Sequence, residues 1–300
     1  MAWSRATEST RILLMDTPIR NVSDTAVWVA MYRARENDRA NGLVCDPFAR
    51  RLAGERGEQI LQQFKNQDRN EWAYTIRTLL VDAFIRERLA DGVDLVINLA
   101  AGLDARPYRM DLPASLRWVE VDLPDILDYK EWILRDDTPK CRLEREACDL
   151  ADGDRRRALF QRLAAGSKRA LIISEGLLIY LGAENAQSLA EDLSGQKNFR
   201  WWIFDIANPG LLKMLQKQVG KTLAEANAAL RFAPAEGPWF FEPFGWRVVT
   251  VRGSLKSAAK AMKLRFLFRL FALFPEKLPP RKGIWGGTCL VENTRAKLSS

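Results

Sequence analysis

Apolar residues recur at two spacings along the chain, and the spacing changes near residue 92. Before that point they recur every three or four positions, which predicts amphipathic helices. The first predicted helix is TAVWVAMYRARE, with Ser23 or Asp24 as its N-cap. The second is DPFARRLAG, which ends at Gly54. The third spans residues 71–90 and contains WAYTIRTLLVDAFIRERLA. Residues 1–92 are therefore predicted to form a helical cap.

Beyond the cap, short apolar runs alternate with helical patterns. Such runs are typical of parallel strands that are covered on both faces. Five strands separated by helices are predicted, at residues 95–99, 118–122, 143–148, 170–174 and 201–206. Right-handed crossovers bring the carboxyl ends of parallel strands to one edge of the sheet, where ligands bind in such folds. We therefore expect residues 93–207 to form a Rossmann-like α/β core with a site at that edge.

The rest of the chain completes a single predicted domain over residues 1–300. Residues 208–244 are predicted to be a helical insertion that lies over the ligand-binding edge. Residues 245–300 contain GWRVVTV and TCLVEN, which alternate enough to form two further strands, an antiparallel hairpin at the edge of the sheet. A basic helix is expected between these two strands.

The composition narrows the chemistry. The 300 residues contain no histidine, which excludes Ser-His-Asp and Cys-His nucleophilic sites, H-E-x-x-H metal sites and acid–base catalysis by imidazole. The four cysteines form no C-x-x-C pair, so we expect no metal site and no redox pair, and four free thiols. A reaction whose cofactor carries the chemistry fits these limits.

The net charge of +8 is concentrated in the last fifty residues. Residues 250–300 contain eleven Lys or Arg and two Glu, so the body of the protein carries about −1 and does not look like a nucleic-acid binder. No apolar run is long enough to span a bilayer, and the first residues lack the apolar core of a signal peptide. We therefore expect a cytoplasmic protein with no nucleic-acid partner.

Small and acidic residues mark the predicted ligand-binding edge. The AAG turn at 100–102 has almost no side chains, so a ligand can lie directly against its backbone. Asp122 ends the next strand about 20 positions later, where nucleotide-binding folds carry an acid for ribose hydroxyls. Asp149 and Glu175 follow the third and fourth strands. An ordinary turn with surface acids explains each feature alone, but it explains the whole series less well.

A set of segments matches a known family in order: YRARENDR, DPFARRLAG, IRTLLVDAFI, NLAAGLDARPYRM, VEVDLPDILDYK, CDLAD, ISEGLLIYL and IWGG. On these segments the chain resembles the class I S-adenosylmethionine-dependent methyltransferases of the leucine carboxyl methyltransferase type, in the bacterial branch described as O-methyltransferases of secondary metabolism. The combination is specific, whereas no single segment is. The resemblance implies a seven-stranded methyltransferase sheet, mostly parallel with its last strand antiparallel, preceded by a helical cap and carrying a late helical insertion.

The resemblance also implies which residues bind S-adenosylmethionine: Arg77, Ala100, Ala101, Gly102, Asp122, Leu123, Asp149, Leu150, Glu175 and Gly176. Arg77 matches the arginine that holds the methionine carboxylate, and Glu175 matches the residue near the cofactor's amino group. Asp122 matches the acid on the ribose hydroxyls, and Asp149 the acid beside the adenine amine. The AAG turn would lie under the methionine and the ribose.

Two positions in this region depart from the family pattern. The family usually has Gly in place of Ala100 and Thr in place of Ala105. Ala100 adds a methyl group beside the ligand, which is tolerated only if the backbone there does not need a positive φ. Ala105 removes a hydroxyl, and the loss of its hydrogen bond would cost about 1 kcal/mol.

The methyl acceptor is constrained by the lack of histidine. The sulfonium of S-adenosylmethionine is already an activated methyl donor, so the protein has mainly to place an acceptor oxygen and exclude water. A carboxylate acceptor needs no base, whereas a phenol or alcohol needs one from Asp, Glu, Lys or Tyr. We therefore expect an O-methyltransferase that acts on a small-molecule carboxylate or hydroxyl. The alternatives are a methyltransferase of protein C-terminal carboxylates and a non-catalytic module that binds the cofactor or a membrane.

Three groups are candidates for the acceptor side. Tyr180 lies five residues beyond Glu175 and either lines the acceptor pocket as a catalytic residue or packs with its hydroxyl at the surface. Arg33 and Arg35 either approach the ligand or lie on a solvated helix face. The aromatic residues of the segment 239–246 either form an acceptor wall or belong to the core.

The basic, apolar stretch from Lys256 to Phe274 allows two interpretations. It either lies on an anionic membrane surface or acidic partner, or forms a packed terminal helix whose Lys and Arg stems cover apolar surface. We favour the packed helix, because similar segments close other members of the bacterial branch.

Overall fold

The computed structural model describes residues 22–63, 71–261 and 283–296. A mixed sheet forms its centre, with strands β1 (Leu95–Leu99), β2 (Arg117–Asp122), β3 (Arg142–Ala147), β4 (Ala170–Ser174), β5 (Phe199–Ala207), β6 (Trp246–Gly253) and β7 (Gly286–Asn293). Their order across the sheet is β3-β2-β1-β4-β5-β7-β6. Strands β1 to β5 pair in parallel, and β7 pairs antiparallel with both neighbours. The predicted seven-stranded methyltransferase sheet is confirmed.

Helices precede and separate the strands: α1 (Val22–Asn37), α2 (Ala49–Gln63), α3 (Glu71–Ala90), α4 (Arg106–Arg109), α5 (Pro124–Ile133), α6 (Gly153–Ala165), α7 (Ala183–Ser194), α8 (Pro209–Glu225) and α9 (Ser254–Ala261). Short 3-10 helices span Leu178–Tyr180 and Gly237–Phe244. The cap of α1 and α2 packs beside the carboxyl edge of the sheet, against the turn after β1 and the beginning of α5. The cap therefore faces the edge at which ligands were expected.

The apolar runs form central strands because both faces of the sheet are covered. Every side chain of β1 is buried. Leu95 and Ile97 belong to a core cluster with residues of α6 and α7, whereas Val96 packs on the opposite face with Phe84 of α3. Burying one such side chain stabilises the fold by roughly 1.5–3 kcal/mol. The pattern of β1 is continuously apolar because both faces of the strand are covered by apolar residues.

The last two strands form the predicted antiparallel pair at the edge of the sheet. The helix α9 follows β6, as expected, and β7 lies inside the sheet between β5 and β6. The burial pattern explains the placement, because Cys289, Leu290 and Val291 of β7 are almost completely buried. β6 alternates between buried and more exposed residues, as suits an edge strand.

Two helix boundaries in the cap differ from the prediction. Gly54 does not end its helix but kinks it (φ 54°, ψ −164°), and the helix resumes as far as Gln63. The hydroxyl of Tyr129 donates a hydrogen bond of 2.9 Å to the carbonyl of Leu52 beside this kink. Ser23 and Asp24 lie within α1 rather than capping it. Buried Asp24 pairs with Arg56 at 2.9 Å.

The later part of the chain is less helical than predicted. The insertion contains α8 and the 3-10 helix Gly237–Phe244, with a non-helical segment between them. The helix α9 contains the first residues of the basic stretch, Lys256 to Ala261, and residues 262–274 of that stretch lie outside the described residues. In the described ranges, no helix combines the length and apolar character needed to cross a bilayer. All four cysteines are free, as predicted.

Candidate functional site

A cavity of about 620 Å³ lies at the carboxyl edge of the sheet. It is lined by the turn after β1, by the segments that follow β4 and β5, and by residues of α1, α3 and α8. Cavities of roughly 300–1,000 Å³ hold small molecules and cofactors in proteins. The cavity therefore lies where the strand order predicted a site.

The turn after β1 is held by backbone and carboxylate contacts. The N–H of Ala101 donates to the carbonyl of Val121 at 3.3 Å, and the N–H of Gly102 donates to Oδ2 of Asp122 at 2.6 Å. Gly102 has φ 48°, and a Cβ there would lie 3.0 Å from the Cβ of Ala26 in α1. Glycine is therefore favoured at this position, both by its backbone angle and by the close approach of the cap.

Ala100 also has a left-handed backbone, with φ 50°. The condition for an easy replacement of glycine by alanine is therefore not met at this position. The left-handed conformation costs an L-residue roughly 1–2 kcal/mol, because Cβ approaches its own carbonyl oxygen. Ala100 lines the cavity, so this strained residue borders the candidate ligand.

The second departure from the family pattern, Ala105, is partly offset by a neighbour. Ala105 is the buried N-cap of α4 and contributes no side-chain capping bond. The Oδ1 atom of Asp104 accepts the N–H of Arg106 at 2.9 Å instead. One of the first free N–H groups of the helix is thus satisfied without the hydroxyl.

Arg77 lies in the cavity between two carboxylates. Its Nε donates to Oε1 of Glu175 at 3.0 Å, and its Nη1 donates to Oδ2 of Asp205 at 3.3 Å. The guanidinium also lies 5.4 Å from the ring centroid of Tyr74, within cation–π range. Within the described residues, Nη2 of Arg77 makes no hydrogen bond, which leaves a donor for a ligand carboxylate.

Glu175 links this arginine to a second one. Its Oε2 lies 2.8 Å from Nη2 of Arg106, which also pairs with Asp82 at 2.6 Å and Asp104 at 2.7 Å. Burial opposes the ionisation of Glu175, but the positive charges of Arg106 and Arg77 outweigh it and hold the pKa below its usual value. Glu175 is therefore an anion at neutral pH, as a partner for an ammonium group must be.

Asp205 was not predicted to be a site residue. Its Oδ1 accepts the N–H of Gly176 at 2.6 Å, while its Oδ2 pairs with Arg77. Gly176 has φ 71°, and a Cβ there would lie 3.4 Å from Nη1 of Arg77. The signal was available, because Asp205 lies near the carboxyl end of β5 just as Glu175 follows β4.

Seven of the predicted site residues line the cavity: Arg77, Ala100, Ala101, Gly102, Glu175, Gly176 and Tyr180. Four others do not: Asp122, Leu123, Asp149 and Leu150. They lie farther along the same sheet edge, after β2 and β3. The structure thus gathers the residues expected at the methionine end in the cavity, and those expected at the ribose and adenine lie outside its lining.

Asp122 and Asp149 hold backbone groups in the structure. Asp122 accepts the N–H of Leu123 at 2.8 Å in addition to that of Gly102, and burial raises its pKa against these two hydrogen bonds. Asp149 is exposed and accepts the N–H of Ala151 at 2.9 Å. Each carboxylate has lone pairs beyond those that the two contacts use, so the predicted roles at ribose and adenine remain predictions.

Tyr180 lies in the cavity and not at the surface. It lines the cavity, and its hydroxyl forms a hydrogen bond with Thr25 of α1. Burial raises the pKa of Tyr180, so the phenol stays protonated at neutral pH. It can therefore donate a hydrogen bond, but it cannot serve as a base.

The two cap arginines differ in their positions. Arg33 lines the cavity, pairs with Asp46 at 2.8 Å, and donates through Nη2 to the carbonyl of Leu103 at 2.6 Å. Arg35 is not among the cavity-lining residues. The cap is thus tied to the turn after β1 by a buried arginine.

The aromatic segment 239–246 belongs to the core, which is the second of the two alternatives for this segment. None of its aromatic residues lines the cavity. The ring of Trp202 lies 5.0 Å from that of Phe241 and 5.4 Å from that of Trp246, centroid to centroid. Apolar residues elsewhere line the cavity instead: Trp28, Val29, Tyr32, Leu178, Ile179, Leu211, Met214, Leu215, Val219, Leu223, Leu230 and Phe232.

The charged end of the cavity fits S-adenosylmethionine. The methionine end of that cofactor carries a carboxylate and an ammonium group. The guanidinium of Arg77 has the charge opposite to the carboxylate, and the adjacent carboxylates of Glu175 and Asp205 have the charge opposite to the ammonium. The turn after β1 presents two alanines and a glycine, so a nucleoside can approach the backbone. Arg77, Glu175 and Asp205 would hold the amino-acid group.

Comparison with known proteins agrees with this fit. A protein of Frankia alni described as a "Putative S-adenosyl-L-methionine-dependent methyltransferase" is 32% identical over 245 residues, which is 74% of this chain and 79% of the relative. A protein of Streptomyces avermitilis with the same description is 36% identical over 185 residues, which is 57% of this chain and 64% of the relative.

The fold and the family agree as well. The crystal structure of a DUF574 family protein from Streptomyces avermitilis covers 93% of this chain and 99% of its own, with a TM-score of 0.58 at 14% identity, a likeness in fold. The family model for leucine carboxyl methyltransferases matches residues 26–194. Because that match spans more than half of the sequence, the chain belongs to the leucine carboxyl methyltransferase family and is an S-adenosylmethionine-dependent methyltransferase.

Proposed function

We propose that this protein transfers the methyl group of S-adenosylmethionine to an oxygen atom of a small molecule that is already ionised. The product is a methyl ester if the acceptor is a carboxylate, or a methyl ether if it is an acidic hydroxyl. The cofactor supplies a methyl group activated by the sulfonium, and the protein supplies position and exclusion of water.

The observation that carries the proposal is the state of four titratable groups in the cavity. Burial raises the pKa of Tyr74 and of Tyr180. Burial opposes the ionisation of Asp104 and Glu175, but their arginine neighbours keep both pKa values below the usual carboxyl range. A general base works best when its pKa lies near the working pH. These groups are poor bases, and the chain has no histidine, so an acceptor that brings its own anionic oxygen suits the site.

The protein's own groups then have distinct tasks. Arg77, Glu175 and Asp205 bind the amino-acid end of the cofactor through charge. Tyr180, which cannot act as a base, positions the acceptor through its hydroxyl and ring. The cap helix α1 and the helix α8 border the cavity and limit the access of water to it.

A labelled-methyl assay with a matched acceptor set tests the proposal. The set contains 2-naphthoate, 2-naphthol and 2-naphthalenemethanol, which share one ring system and differ in the acidity of the oxygen. We expect transfer to 2-naphthoate with a rate that is flat from about pH 6 to about pH 9, because a carboxylate is ionised throughout this range.

2-Naphthol should react faster as the pH approaches its own pKa, and the alcohol should not react. Mass spectrometry and the alkaline lability of the product distinguish an ester from an ether. Transfer to the alcohol alone, or to nitrogen or carbon, would contradict the proposal. Methylation of a peptide C-terminus in preference to 2-naphthoate would instead support a protein carboxyl methyltransferase.

A further inference from the structure

The cavity has two ends of opposite character. The end at the sheet edge contains the ion pairs of Arg77 and Arg106 with Asp104, Glu175 and Asp205. The other end is lined by apolar residues of α1, of the 3-10 helix Leu178–Tyr180 and of α8. The amino-acid end of the cofactor takes the charged end, so the apolar end remains for the methyl acceptor.

The helix α8 presents a continuous apolar face to the cavity. Leu211, Met214, Leu215, Val219 and Leu223 all line it and recur at helical spacing. The lysines of the same helix, Lys213, Lys217 and Lys221, are exposed on its other side. The N-cap fixes this orientation, because the Oδ1 atom of Asn208 accepts the N–H of Leu211 at 2.9 Å and that of Trp285 at 3.1 Å.

Within the described ranges, part of this apolar surface is left open. Val219 and Leu223 are 5% and 2% exposed, so they are packed. Leu211, Met214 and Leu215 lie nearer the start of the helix and are only half-buried, although they line the cavity. Apolar surface that faces a cavity gains free energy when an apolar ligand covers it.

Among the described residues, those that line the cavity offer no spare positive charge for the body of an acceptor. In the part of the chain that the structure describes, the arginines that line the cavity are Arg33, Arg77 and Arg106. Arg33 pairs with a carboxylate and donates to a backbone carbonyl, Arg77 pairs with two carboxylates, and Arg106 pairs with three. A second anionic group on the acceptor would therefore lose its hydration without gaining a counter-charge.

We propose that the acceptor is an apolar molecule, aliphatic or aromatic, whose single polar group is the oxygen that receives the methyl, and that its body lies between α1 and the apolar face of α8. This inference rests on the proposed function and names its substrate class. A peptide C-terminus fits less well, because its backbone amides would meet leucine, methionine and aromatic side chains instead of hydrogen-bond partners.

Calorimetry on the full chain saturated with S-adenosylhomocysteine tests the inference. The probes are hexanoate, octanoate, decanoate, 2-naphthoate and the peptide acetyl-Gly-Gly-Gly-Leu. We expect the dissociation constant to fall at least about tenfold from hexanoate to decanoate, because each added methylene becomes buried. The peptide should bind at least tenfold more weakly than decanoate or 2-naphthoate. The inference is overturned if chain length has no effect, or if the peptide binds more tightly than both apolar acids.

Two variants of neighbouring residues locate the binding. Met214→Glu places a charge on the cavity face of α8 and should weaken binding of decanoate and 2-naphthoate at least tenfold. The control Lys213→Glu makes the same helix more acidic on its exposed side and should change binding less than twofold. Equal effects of both variants would overturn the placement.

Met214→Trp covers the case in which the glutamate variant does not fold. It narrows the cavity without adding charge, and should weaken decanoate more than hexanoate. Binding of S-adenosylhomocysteine is measured first for every protein. Loss of that binding in the unmodified chain would defeat the proposed function, whereas intact binding without any preference for apolar acids would defeat this inference alone.

Discussion

Replacing Ala100 by glycine should make the protein more stable. The left-handed backbone at this residue (φ 50°) costs alanine about 1–2 kcal/mol, which glycine does not pay. Glycine also raises the conformational entropy of the unfolded chain, which lowers the free energy of unfolding by about 0.4–1 kcal/mol. The balance is a gain of about 0.5–1 kcal/mol in the free energy of unfolding, which corresponds to about 2 °C in the melting temperature for a domain of this size.

The matched control is the adjacent residue. Ala101 is not among the residues with positive φ and is 5% exposed. Ala101→Gly gains nothing in backbone strain and loses a buried methyl group, so it should lower the free energy of unfolding by at least about 0.5 kcal/mol. Urea unfolding of the three proteins, with the slope held common, measures these opposite changes.

Affinity for S-adenosylhomocysteine gives a second measurement on the same proteins. The Ala100→Gly variant removes a methyl group from the lining of the cavity and relaxes the turn, so its affinity should be equal to or higher than that of the unmodified chain. An Ala100→Gly variant that is less stable than the unmodified protein would refute the argument from backbone strain. Parallel losses in both glycine variants would lead to the same conclusion.

Three further predictions concern the charged end of the cavity. Arg77→Lys keeps the charge but loses the planar fork, so calorimetry should show about tenfold weaker binding of S-adenosylhomocysteine; unchanged binding would remove Arg77 from the site. Asp205→Asn should weaken that ligand about tenfold and leave 5′-methylthioadenosine, which lacks the amino-acid group, within about twofold; equal losses for both ligands would make Asp205 a purely structural residue. The pKa values of Asp82 and Glu175 are lowered in the folded protein, because the charges of neighbouring arginines outweigh the effect of burial. The contribution of these two carboxylates to stability is therefore complete above their ordinary pKa values of 3.8 and 4.5. It disappears as the pH falls below those values. Urea unfolding at a series of pH values down to about pH 3 should show this loss. In the Asp82→Asn variant, the free energy of unfolding should depend less steeply on pH.

The core strands were predictable because their environment is simple. β1 and β4 are buried on both faces, so a short apolar run bounded by polar residues contains the information that defines them. The position of β7 was not predictable in this way. Its apolar pattern requires two covered faces, but it does not say which two strands lie beside it.

The network of ion pairs around α4 could not be predicted from the sequence pattern. Arg106 and Arg109 both pair with Asp82, which is 24 and 27 residues earlier. Asp82 lies on a helix whose pattern allowed it to be a solvated residue, and yet it is only 3% exposed. Such pairs form because the fold brings α3 and α4 together, so they follow from the tertiary structure and not from local spacing.

The residues around the cofactor lie between these cases. Arg77 and Glu175 could be named through the resemblance, which records what their positions do in relatives. Asp205 could have been found by extending to β5 the rule already applied to Asp122. The strain at Ala100 required the backbone angle itself, since the sequence alone states only that alanine stands where relatives have glycine.

The place of β7 in the sheet has a consequence for how the chain folds during synthesis. The ribosome releases β5 and β6 before residues 286–293, and in the described part of the sheet β6 pairs only with β7. Until that segment emerges, β5 has a free edge that includes Trp202 and Phe204, both fully buried in the folded protein. An open apolar edge invites pairing with other chains. We therefore expect nascent chains stalled before Gly286 to bind chaperones, and those extended past Asn293 to be released from them.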